Sequence, residues 1–125
     1  MKQIISTENA PAAIGPYSQA ILSNNTLYCS GQIAINPETG DLVMENITNE
    51  TTQVMKNISE VLKAADMDFS NVVKCSIFMK SMHDYAKINK VYALSFINNH
   101  PAREAVEVSA LPKNVNVEIS VIAIK

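Results

Sequence analysis

Arg103 opens a run within NHPAREAVEVSALP (residues 99–112) that otherwise alternates like a strand, with Ala102, Val106 and Val108 apolar. A period of two puts Arg103 on the same side as Ala105 and Glu107. Its guanidinium carries parallel N–H donors that match a carboxylate, so the chemistry it offers is capture of an anion. The plain alternative is an edge charge that discourages sheet-to-sheet pairing. Glu118 lies in the following strand-like run, VEIS (117–120), and brings a titratable carboxylate. Ser30 and Gly31 interrupt LYCSGQIAI (27–35), where a glycine weakens pairing and often marks the close approach of a ligand or backbone. Tyr17 follows the turn pair Gly15-Pro16 directly. Each residue also has a structural explanation: turn tyrosine, bulge glycine, edge charge, solvated glutamate.

Other chemistries find no support in the residue pattern. His83 and His100 stand far apart, without an HxxH spacing or a carboxylate at ligand spacing, so no metal site is expected. Cys29 and Cys75 form no CxxC pair and read as buried free thiols inside strands. Three glycines in 125 residues leave no GxGxxG or phosphate loop. A formal net charge of −2 and a pI near 5.6, without any Lys/Arg run, give no general attraction for a phosphate backbone, so nucleic acid is an unexpected partner. The N-terminus lacks the apolar core of a secretory signal, and no window approaches the roughly 18 apolar residues of a membrane span. A cytoplasmic protein is expected.

The elements that must position these residues follow from length and periodicity. A chain of 125 residues, 47% apolar and 18% charged, is expected to form one domain, residues 1–125, with a real core. Residues 27–35 read as a strand, paired through SNNT (23–26) with an earlier one, and NPETG (36–40) as a turn. From Thr48 to Ala65 the apolar residues Val54, Met55, Ile58, Val61, Leu62 and Ala65 have helical spacing, with Thr48 or Asn49 as cap. Residues 71–80 read as a strand. Tyr85, Ile88, Val91, Tyr92 and Phe96 then mark a second helix, ending before Pro101. Strands over 102–109 and 115–124 close the chain. The expected class is α+β, order ββαβαββ, a mostly antiparallel sheet with two helices on one face. Apolar residues on both faces of the last strand point to a second subunit over the open face.

In this order, APAAIGPYSQA, SGQI, NPETG, HPAREAVEVSALP and VEISVIAI resemble the Rid family of reactive-intermediate deaminases, also called YjgF or L-PSP proteins. The resemblance covers essentially the whole chain and is nearest to the RidA subgroup. It implies a chorismate-mutase-like fold and a homotrimer with clefts between subunits. It also implies cofactor-free hydrolysis of 2-imino and enamine acids such as 2-iminobutyrate and 2-aminoacrylate. On the matching positions it assigns Arg103 to the substrate carboxylate. Glu118 is assigned to the attacking water, or to the proton that leaves with ammonia. Tyr17, Ser30, Gly31 and Asn89 would line the cleft.

This chain departs from the family pattern at several points. Many RidA sequences carry a cysteine two residues beyond the arginine; Ala105 stands there, which removes a nucleophilic thiol from that position. The loop before Pro101 is short, and His100 replaces the common aromatic. Glu104 adds a negative charge beside Arg103, although strand alternation turns it to the opposite side. Two further functions compete with the deaminase: an endoribonuclease acting as a translation inhibitor, and a non-catalytic trimer that binds small carboxylates.

Overall fold

A computed structural model describes all residues, Met1–Lys125. Its six-stranded sheet has the order β1-β2-β3-β6-β4-β5. The strands are β1 (Lys2–Ile5), β2 (Ala20–Ser23), β3 (Thr26–Cys29), β4 (Val72–Met79), β5 (Ala102–Glu107) and β6 (Val117–Ile124). Two helices, α1 (Ile47–Ala64) and α2 (Tyr85–Ala93), contribute to a single core with one face of that sheet. The expected α+β class and the two helices on one face are therefore present.

The hairpin β2-β3 turns on Asn24 and Asn25, both at positive φ (48° and 65°). A two-residue turn that matches strand twist needs this conformation, and asparagine tolerates it. Strand β6 is central, antiparallel to both β3 and β4, and its odd residues Val117, Ile119, Val121 and Ala123 are buried. The connection through α2 returns β5 parallel to β4, at the edge of the sheet. Helix α1 buries Val54, Ile58, Val61 and Leu62 completely; truncating Leu62 to alanine would cost about 2–5 kcal/mol. Glu50, also fully buried in α1, is satisfied by Asn116, whose backbone N–H and side-chain amide donate to its two oxygens at 2.8 Å each. A buried carboxylate without such donors would be strongly destabilising.

Several expected boundaries shift. The extra strand β1 was hidden because KQII is short and has one buried residue, so it shows no burial period. The strand expected over 27–35 ends at Cys29; beyond it only isolated bridges at Gln32 and Ile35 persist, because Ser30 and Gly31 leave the ladder. The α1 cap is Asn46, whose side chain accepts from the Asn49 N–H at 2.8 Å, rather than Thr48 or Asn49. Helix α2 stops at Ala93, and Phe96 joins the core from the turn that follows.

Candidate active site

Arg103 points to the helix face. Its register partner on β4 is Cys75, fully buried in the core. Three residues of α2 hold the guanidinium. Nη1 donates to Asn89 Oδ1 and Nη2 to the Tyr85 hydroxyl, each at 2.7 Å, while the cation lies 4.9 Å from the Tyr92 ring centroid. Positions 85, 89 and 92 are i, i+4 and i+7, one stripe of a helix. Arginine has five N–H donors, and two of them serve these bonds, so three stay available to a ligand. A cleft of about 300 Å³ opens beside it, lined by Asn89, Tyr92, Ala93, His100, Pro101 and Arg103.

Glu118 lies on the other face. It pairs with Phe78, three residues along β4 from the partner of Arg103, so alternation turns it away from the helices. Burial pushes its carboxyl pKa up, and no neighbouring charge or hydrogen bond offsets that shift. Gly31 passes directly over it, because Gln32 and Ile119 exchange backbone hydrogen bonds at 2.8 and 3.1 Å. A Cβ on Gly31 would come within 2.8 Å of the Glu118 carboxyl carbon and overlap one of its oxygens. Ser30 is fixed alongside: its N–H donates to Gln19 O at 2.9 Å and its hydroxyl to Ser18 O at 2.6 Å. Tyr17, Ser30, Gly31, Pro112, Lys113 and Glu118 line one cleft of about 550 Å³.

The six expected site residues therefore fall into two groups, Arg103 with Asn89, and Glu118 with Tyr17, Ser30 and Gly31. A clamp that joins Arg103 directly to Glu118 and Tyr17 does not exist within one chain. Although β5 and β6 are consecutive in sequence, β4 lies between them. Two strand spacings and three residues separate the pair by about 14 Å, on opposite faces. Glu104 does turn away from Arg103, as alternation requires, and bonds to Ser76 and to Lys74, the latter at 2.9 Å.

Sequence reasoning did not single out three residues that position the site. Tyr85 and Tyr92 read as core aromatics; the signal was their i, i+4, i+7 spacing with Asn89. Gln19, buried, pins the loop that carries Tyr17. Its amide nitrogen donates to the carbonyls of Thr7, Ala10 and Pro11, and its oxygen accepts from the Thr7 N–H at 2.7 Å. Both cysteines are buried and free, and burial raises each thiol pKa, to about 12 for Cys29. Neither is an activated nucleophile.

This fold, with a braced arginine on one sheet face and a half-buried glutamate beneath the Gly31 backbone on the other, defines a small α+β scaffold with two clefts. The family model described as Endoribonuclease L-PSP matches residues 7–125. The human protein named 2-iminobutanoate/2-iminopropanoate deaminase is 46% identical over all of this chain and 91% of its own length. A Rid-family structure from Yersinia pestis, YyfA, superposes with a TM-score of 0.98 at 52% identity, covering both chains fully. The Escherichia coli TdcF structure with bound serine gives 0.94 at 33% identity, covering 98% of each chain. The chain belongs to the Rid (YjgF/L-PSP) family, with RidA-type deaminases among its relatives.

Proposed function

We propose that this protein is a cytoplasmic, cofactor-free deaminase that hydrolyses 2-imino acids, and their enamine tautomers, to 2-oxo acids and ammonia. Its sites lie between subunits of a homotrimer. One observation carries the reading: the chain holds a braced guanidinium with free donors and an unpaired, half-buried carboxylate as two separate half-sites. A second copy that brings its Arg103 edge to the Glu118 cleft would complete both. The half-buried open face of β4 and β6, which bears Lys74, Phe78, Ser120 and Ile122, supports self-association. No helix is long and apolar enough to cross a membrane.

In the assembled site Arg103 binds the substrate carboxylate through its free donors. Glu118 takes a proton from water as the oxygen attacks the C=N carbon of the protonated imine. The same carboxyl then returns the proton to nitrogen; as the C–N bond breaks and the C=O bond forms, it takes the proton of the new hydroxyl and releases it to the departing ammonia, so that the 2-oxo acid and ammonium leave. A carboxyl with a raised pKa suits this double role, because it holds the proton long enough to return it. The serine bound to TdcF and the name of the human relative fit a site for small amino-acid-like carboxylates. Net charge of −2 speaks against a phosphate-chain substrate.

Incubation with a pyridoxal-phosphate dehydratase and threonine tests the reading. Wild type should accelerate the appearance of 2-oxobutyrate, and Arg103→Ala should lose about 2–4 kcal/mol of transition-state binding. No acceleration by wild type sinks it. Tight 2-oxobutyrate binding without turnover would favour a carboxylate-binding trimer instead.

A further inference from the structure

We propose that Tyr85 is a positioning residue for this reaction, acting through Arg103. This deepens the deaminase reading and rests on it for its kinetic consequence. The Tyr85 hydroxyl accepts from Nη2 while Asn89 accepts from Nη1, both at 2.7 Å, and the cation rests on the Tyr92 ring. The ring contact sets the plane of the guanidinium, and the two hydrogen bonds set its rotation within that plane. The remaining donors then point in one direction only. Tyr85 is absent from the residues that line the cleft beside Arg103, whereas Asn89 and Tyr92 are among them. Its hydroxyl is engaged by the arginine, and through the arginine it acts on a ligand.

The position of Tyr85 is itself built. It is the first residue of α2, and its N–H donates to the Met82 carbonyl in the 3-10 turn Met82–Asp84. The Met82 N–H in turn donates to the Glu107 carboxylate at 2.7 Å. Glu107 and Arg103 share a face of β5, so β5 fixes the start of α2 through one residue and α2 fixes the guanidinium on β5 through another. A long flexible side chain is ordered before any ligand arrives, which reduces the ordering cost of binding.

Tyr85→Phe keeps the ring and the helix packing and removes only the hydroxyl. Its KM for 2-iminobutyrate should rise about tenfold with kcat within about twofold, the loss of one hydrogen bond to a charged donor. Affinity for 2-oxobutyrate should fall by the same factor, while affinity for its uncharged amide and the melting temperature stay unchanged. Unchanged KM would overturn the proposal, as would equal losses for acid and amide, which mark a structural role. Nitrogen NMR of Arg103 gives a readout independent of the reaction: hindered Nη rotation in free wild type, fast rotation in Tyr85→Phe. Fast rotation in both proteins overturns positioning, even if wild type proves inactive; inactivity alone sinks only the deaminase reading.

Discussion

The two half-sites are prepared in opposite ways. Arg103 is anchored: two hydrogen bonds and an aromatic face from α2 hold it in place before a ligand arrives. Glu118 is left without a partner, and burial alone acts on it, raising its pKa. The difference suits the tasks proposed for them. A permanently charged binding group gains from rigidity, because its only job is geometry. A group that must accept and return a proton gains from an environment that narrows the gap between its charged and neutral forms. Had Glu118 been paired with a cation as Arg103 is paired with acceptors, its carboxylate would be stabilised and its basicity lost.

The largest effect comes from separating the halves genetically. Arg103→Ala and Glu118→Gln should each retain no more than about 3% of wild-type kcat/KM. Mixed, unfolded and refolded together at equal amounts, they should recover about a quarter of wild-type activity, since a quarter of the between-copy sites then receive both intact residues. No recovery would place both residues in one chain's site and break the comparison.

Next in size is Gly31→Ala. Its methyl group meets the far end of a flexible side chain, so the Glu118 carboxylate swings aside while the fold survives. A drop of roughly a hundredfold in kcat is expected, with binding of 2-oxobutyrate much less affected. If affinity falls and kcat holds, Glu118 is a binding group instead. Gln19→Ala should act more mildly, on both stability and the cleft. It strands the buried Ala10 carbonyl and the part-buried carbonyls of Thr7 and Pro11 in the segment leading to Tyr17, at a cost of about 1–3 kcal/mol in thermal or denaturant unfolding.

The smallest effect is in pH dependence, and through Glu118 it has opposite signs for activity and for stability. The base form of Glu118 disappears as pH falls through its raised pKa, so the acid limb of kcat/KM should lie above the ordinary glutamate value. Stability runs the other way. Between the unfolded and folded pKa values the folded state binds more protons, so stability falls as pH rises through that window. Glu118→Gln should remove both dependences.

The candidate site was legible chiefly through the order of its motifs along the chain, which resembles one family. An arginine at a strand entrance, a glycine inside a strand-like run and a tyrosine after Gly-Pro each also have a structural explanation when taken singly. Periodicity also located α1 and β4 within a residue or two, since burial on one face repeats along the chain. Strand β1 escaped because four residues with one buried side chain have no period. Tyr85 and Tyr92 escaped because an aromatic stripe on a helix looks the same whether it packs a core or braces a cation.

The sequence by itself determined the α+β class and, within each strand it located, which residues share a face, because these depend on near neighbours along the chain. Only the tertiary structure decided that β4 sits between β5 and β6, and so that Arg103 and Glu118 occupy opposite faces about 14 Å apart. The order of strands in a sheet is a long-range choice, set by how the helices cover the core. No periodicity within a single segment encodes it.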